Sequence, residues 1–177
     1  MNQDSPEMQD MAYGCIFCTT GKEQVLAEMM NRYAPSVKAI VARQEKHHSD
    51  HGKKSKVEQV MMPSYVFFRA PGGEMPFIPR ENLIRLLTLD DGTWELAGDD
   101  ERFVEWLFKY DGLLSFSKAY KEGDRIRIVS GPLKDMEGQI RRVDKRGRSG
   151  QVALEFHGKV HMVWLGFDLV DPAGDGV

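Results

Sequence analysis

The chain is short of several things at once. Its 177 residues hold only two cysteines, too few for a disulfide framework. No apolar run approaches the length that a membrane-spanning helix needs, and no signal-peptide pattern opens the sequence, so a soluble cytoplasmic protein is expected. A strong excess of one charge is missing too: the formal net charge is −3, which taken alone suggests no polyanionic partner. Absent as well are a nucleophile–base pair, a phosphate-binding glycine loop and a dinucleotide fingerprint. Neither enzymatic turnover nor a cofactor is therefore expected.

The average charge hides a split. Residues 118–170 carry 11 Lys/Arg against 7 Asp/Glu, a net of +4, whereas residues 1–117 carry 13 against 18, a net of −5. A basic C-terminal part joined to an acidic N-terminal one points to two different partners.

The basic part, Glu122 to Val170, consists of short alternating runs separated by Gly, Pro and charged turns, the spacing of a small barrel. Ile126 and Ile128 form one apolar side, followed by Gly131-Pro132 and Gly138, then Ile140 and Val143. A tip of Lys145-Arg146-Gly147-Arg148 leads to Val152, Leu154 and Phe156, and Gly158 turns the chain into Val160, Met162 and Trp164. Four or five such strands, each with one apolar face, are expected to close into a barrel over 120–171, which removes exposed sheet edges. A tail follows at 172–177.

The N-terminal part reads as an α+β domain over 11–111, after a disordered leader at 1–10 and before a linker at 112–119. Ala12 to Thr19 is a nearly continuous apolar strand and so a central one. Thr20 with Glu23 forms a capping box for a helix whose apolar positions are Val25, Leu26, Met29, Met30 and Tyr33, ended by Pro35. Val37 to Ala42 reads as a strand and the polar stretch Gln44 to Lys56 as a mobile loop. Strands follow at Val60 to Met62 and Ser64 to Arg69. A turn leads into a connection, Met75 to Leu86, with one helical turn, and then into short extended stretches at Leu86 to Leu89 and Thr93 to Leu96. Asp99 caps a last helix that buries Phe103, Val104, Trp106, Leu107 and Tyr110. This order suits an antiparallel sheet with helices packed against it.

Three segments, taken in order, resemble one family. Tyr13 to Glu23 (YGCIFCTTGKE) resembles the opening strand and helix start of the NusG N-terminal domain. Met62-Pro63-Ser64-Tyr65-Val66-Phe67-Phe68 resembles a later strand of that domain, with Ser64 where a Gly is usual. Gly123-Asp124, Gly131-Pro132 and Gly138 resemble its KOW barrel, an SH3-like fold. The resemblance spans about Met11 to Val170 and implies a transcription elongation factor. In that family the N-terminal domain docks on the clamp helices of the largest subunit of bacterial RNA polymerase. By resemblance, Tyr65 and Phe67 face that contact. Two residues apart on a strand, they share one side while Val66 and Phe68 share the other. The competing reading makes all four core residues of a sheet covered on both faces. Under the docking reading, replacing Tyr65 and Phe67 together by Ala is expected to abolish polymerase binding with the fold intact.

The basic tip is the second candidate site. Arg141, Arg142, Lys145, Arg146 and Arg148 place five positive charges within eight positions. Arginine offers bidentate, stackable contacts suited to folded RNA, and with Lys134 the patch spans several phosphates of an RNA hairpin. The plain alternative is a solvated turn. Such a tip is more basic than ordinary NusG carries, so the chain resembles the specialised LoaP antiterminators, whose barrel reads a hairpin in a leader transcript. A housekeeping factor whose barrel contacts Rho or a small-subunit ribosomal protein is the alternative, and a ribosome-associated KOW protein a further one. No membrane partner is expected, and a monomer is the default.

Two metal-like patterns remain. Cys15 and Cys18 have zinc-ligand spacing but no second pair, and residues three apart on a strand face opposite ways. His47-His48-Ser49-Asp50-His51 is a better ligand set, yet Lys53, Lys54 and Lys56 beside it repel cations. No metal site is assigned.

Overall fold

In chain order the elements are β1 (Met11–Cys18), α1 (Glu23–Tyr33), β2 (Lys38–Ile40), β3 (Arg43–Asp50), β4 (Lys53–Val60), β5 (Tyr65–Pro71), β6 (Leu83–Leu86), α2 (Gly98–Lys109), β7 (Leu113–Leu114), β8 (Ser117–Glu122), β9 (Arg125–Ser130), the one-turn helix α3 (Pro132–Asp135), β10 (Ile140–Asp144), β11 (Ser149–Phe156) and β12 (Lys159–Leu169). The structure is a computed structural model that describes residues 10–172. Apart from Asp10 and Pro172, the expected leader and tail lie outside the described residues. The protein is mixed α/β, mostly strand with few helices. Among the described residues no helix is long and apolar enough to cross a membrane. Contacts divide the chain into two compact units, one taking the chain up to Ala42 with Met62–Gly112, the other Arg43–Met61 with the chain from Leu113 onward.

The first unit is built on the sheet β2-β5-β1-β6, antiparallel at every pairing. Central β1 is apolar almost throughout because both its faces are covered, and Cys15, Ile16 and Cys18 have no exposed surface. On one face, Tyr13 and Phe67 meet Phe108 and Phe103 of α2, with ring centroids 5.4 and 6.0 Å apart. On the other, Trp94 stacks on Phe68 at 5.4 Å, and Asn31 of α1 clasps the backbone of Ala39 through both its amide atoms. α1 buries Leu26, Ala27 and Met30, whereas Val25 and Tyr33, expected inside, are 44% and 60% exposed. No helical turn forms between Met75 and Leu86; the segment ends instead in β6.

Both expected helix caps differ from what forms. α1 starts after Lys22 with no side-chain cap. Thr20 instead bonds the Ser64 hydroxyl at 2.6 Å, and the Glu23 carboxylate accepts the N–H of Ser64 at 2.7 Å and that of Gly21 at 3.1 Å. The capping-box residues thus reach across to the start of β5. Ser64 has φ 73, the left-handed conformation that glycine adopts at no steric cost, so the two hydrogen bonds hold a serine where the strand entry favours Gly. α2 begins after the extended Ala97, and Asp99 falls in its first turn with Asp100 and Glu101, where acidic groups suit the helix dipole.

The second unit holds a five-stranded sheet, β10-β11-β12-β8-β9, and a three-stranded one, β4-β3-β7. Long β12 joins two halves, pairing antiparallel with β11 through Gly166 and parallel with β8 from Phe167. Its core is Ala119, Ile128, Leu133, Val152, Leu154, Phe156, Val163, Leu165 and Phe167. Leu133 of α3 plugs it, and its N–H bonds the buried Ser117 hydroxyl at 2.9 Å.

Three expectations change here. The stretch Gln44 to Lys56, expected as a mobile loop, forms most of the β3–β4 hairpin, with Asp50 paired to Lys53. Its turn, His51-Gly52, has φ 46 and 82, the two positive values of a type I′ turn. Hydrophobic alternation is missing because the distal part of the hairpin is exposed on both faces. The segment 112–119, expected as a linker, carries β7 and the start of β8. In β12 the buried set is Val163, Leu165 and Phe167, while Val160 and Met162, expected to face inward with Trp164, are 61% and 50% exposed. Both sides of this strand are apolar in sequence, so alternation does not fix the face. Pairing of Val163 with the buried Val152 does, and a shift of one residue would invert it.

Candidate nucleic-acid interface and docking strand

The β10–β11 hairpin carries the basic tip outward. Lys145, Arg146, Gly147 and Arg148 are all exposed turn residues, and the Gly147 N–H bonds the Asp144 carboxylate at 2.8 Å, which fixes the turn. Two of the six predicted cations are occupied: Lys134, on α3, pairs with Glu137 at 2.6 Å, and Lys145 donates to the Asp124 carbonyl. Among the described residues, Arg141, Arg142, Arg146 and Arg148 pair with no carboxylate.

A β-bulge at Arg141 decides which of its neighbours shares the outer surface. Ile140 pairs with Val152 and Arg142 with Gln151, so the strand changes phase across the extra residue. Ile140 thereby faces Leu133 and the core. Arg142 lies in a cross-strand row with Gln151 and Trp164, beside the row Asp144, Ser149 and Gly166. Arg142 therefore stands on the outer face, on the strand that leads into the tip.

The β3–β4 hairpin packs against this face through Phe116. The Phe116 N–H donates to Glu45 at 3.1 Å. Its ring stacks on His47, with centroids 4.2 Å apart, and takes the Lys56 ammonium 4.4 Å from its centroid. Lys56 in turn pairs with Asp168 of β12 at 2.9 Å. Close approach requires Gly166: a Cβ there would lie 2.1 Å from the Phe116 ring. Gly166→Ala is therefore expected to push the ring away, to cost about 1–3 kcal/mol as overpacking does, and to remove the ring-current shift of the His47 protons in an NMR spectrum.

The docking candidates separate. Tyr65 and Phe67 share a face as expected, their rings parallel within 8° and 6.2 Å apart, but Phe67 is 0% exposed beneath Phe103. Tyr65 is half-buried and meets Phe17 edge-on at 5.3 Å, with Arg85 over Phe17 at 5.9 Å. Of the pair, Tyr65 alone offers surface. Replacing both by Ala would also hollow the core, so the double variant does not leave the fold intact.

The cysteines are buried free thiols. Burial, then Cys18 and Asp100, push the Cys15 thiol far above its usual range, and burial with Glu23 pushes Cys18 up to about 11. Both shifts disfavour the thiolate, the form that ligates zinc. In the histidine run, His47 is held on Phe116 and His51 sits in the hairpin turn beside Asp50. Among the described residues no group of three or more His, Cys, Asp or Glu could hold a metal ion.

No protein-family model matches the chain, and no curated protein matches it. Among solved structures it is similar to Thermotoga maritima NusG, at 16% identity, with 89% of this chain and 94% of that chain covered and a TM-score of 0.48. At that distance the likeness carries no functional argument.

Proposed function

We propose that the chain is a transcription elongation factor of the NusG type, a processive antiterminator. Its first unit docks on the clamp helices of RNA polymerase through the surface around Tyr65. The five-stranded sheet of its second unit acts as a KOW barrel that binds a hairpin in a leader transcript. The observation that carries this reading is the β10–β11 hairpin, which holds Arg142, Arg146 and Arg148 exposed and, among the described residues, paired with no carboxylate. The ordered motifs Tyr13 to Glu23, Met62 to Phe68 and Gly123 to Gly138 support it from the sequence.

Surface arginines usually form weak ion pairs with nearby carboxylates. Here one oxygen of the turn carboxylate, Asp144, holds the Gly147 backbone, and among the described residues no carboxylate pairs with Arg146 or Arg148. Arg146→Ala with Arg148→Ala is expected to lower the salt slope of RNA binding by about one unit per lost contact. Affinity should fall roughly 100-fold at 0.1 M salt, and the difference should vanish towards 1 M. Filter binding across a salt series measures this. Equal slopes for parent and variant would remove the tip from the interface.

Single-round transcription through an intrinsic terminator tests the whole proposal. The template carries the leader found beside this chain's own gene, and the expected result is readthrough that needs both the leader and the two arginines. Altered pausing on any template would identify a general elongation factor, with Rho or a ribosomal protein on the barrel. Sedimentation with ribosomes and no polymerase binding would favour a ribosome-associated protein.

A further inference from the structure

Between the β3–β4 hairpin and the outer face of the five-stranded sheet, within the second unit, lies an open cleft of about 360 Å³. One side is Glu45, Lys46 and His47 of β3 with Phe116, and the other is Asp144, Ser149 and the half-buried Trp164. Gly147 of the basic turn lines it as well, with Lys46 as a cation in the wall, so the backbone of Arg146 and Arg148 adjoins its rim.

Each carboxylate in the cleft is held by a backbone donor. One Asp144 oxygen takes the Gly147 N–H at 2.8 Å, and one Glu45 oxygen takes the Phe116 N–H at 3.1 Å. Ionised carboxylates only accept hydrogen bonds, and among the described residues neither second oxygen has a hydrogen-bond partner. The cleft therefore combines aromatic walls, fixed acceptors and a cationic rim. Its volume falls in the small-ligand range, too small for a duplex. Single-stranded RNA is read in this way: a base is splayed out, stacked on an aromatic side chain and bonded along its Watson–Crick edge. Of the four bases, guanine alone presents two adjacent donors, N1–H and the N2 amino group, to one carboxylate.

We infer that this cleft holds one unpaired guanine of the bound RNA, stacked on Trp164 with its donor edge on Asp144 or Glu45, while Arg146 and Arg148 hold the flanking phosphates. The inference deepens the RNA-binding reading above and rests on it.

The test uses the full chain and five-nucleotide RNAs, UUGUU against UUAUU, UUCUU and the same strand with a central abasic site. The G-centred strand is expected to bind about tenfold more tightly than the abasic one, within the range of one stacked base. Trp164→Ala should abolish that advantage. Asp144→Asn, which keeps an acceptor for Gly147, should narrow the preference for G over A and guards against a misfolded Trp164 variant. Equal binding of all four strands, with the arginine pair still weakening each, would overturn the cleft and leave the tip intact. Guanine preference that survives in Arg146→Ala/Arg148→Ala with undiminished affinity would sustain the cleft and sink the tip. Failure of every strand to bind would sink both.

Discussion

Phe67→Ala is expected to destabilise the first unit by about 3–5 kcal/mol, the usual cost of truncating a buried phenylalanine. Phe67 has no exposed surface. Its ring lies between the parallel Tyr65 ring and the edge-on ring of Phe103, and its cross-strand neighbours are Cys15 and Ile40, both buried. Truncation there opens a cavity that two strands and a helix would have to collapse to fill. Tyr65→Ala, at the half-buried end of the same face, is expected to cost only about 1–2 kcal/mol, because part of its ring already meets water. Urea unfolding of the two single variants separates these costs. Polymerase binding by each, measured below the temperature at which Phe67→Ala unfolds, then tests the docking proposal. Loss of binding in folded Tyr65→Ala places the contact on this face. Full binding there, with weakened binding only where the protein has unfolded, assigns the whole strand to the core.

That split shows what the sequence made legible. Period-two geometry put Tyr65 with Phe67 and Val66 with Phe68 correctly, because backbone alternation needs no tertiary information. Depth was not legible, since both faces of the sheet are covered and an aromatic strand reads the same whether its partner is α2 or another protein. The same limit produced the inverted face of β12: Val160, Met162 and Trp164 are as apolar as Val163, Leu165 and Phe167, and only pairing with β11 chooses between them. The β3–β4 hairpin was hidden for the opposite reason. Its strands, RQEKHHSD and KKSKVEQV, are nearly devoid of apolar residues, and the surviving clue was the His51-Gly52 pair at their junction. With that hairpin read as a loop, the Phe116 stack and the cleft beside it were out of reach, although charge alone marked the tip as a candidate.

The second large effect lies at Glu23, whose burial the helix pattern would not suggest. The residue is 3% exposed. Burial alone would raise its carboxyl pKa, but the N–H groups of Ser64, Glu23 itself and Gly21 outweigh it and hold the group below its ordinary 4.5. Glu23→Ala leaves the buried Ser64 N–H without its acceptor and frees a serine held at positive φ, a loss of about 2–3 kcal/mol. The pH dependence distinguishes this from simple lost packing. A carboxyl held lower in the folded than in the unfolded chain contributes stability fully above the unfolded value, and that contribution disappears as pH falls through the folded value. The parent should therefore lose stability to acid below about pH 4.5, whereas Glu23→Gln has no such group to protonate. Denaturant midpoints for the two proteins are expected to converge as the pH is lowered from 7 to about 3. A gap that stays constant over that range would mean that Glu23 acts through shape and not through its charge, and that the strand entry at Ser64 is held by the Thr20 hydroxyl instead.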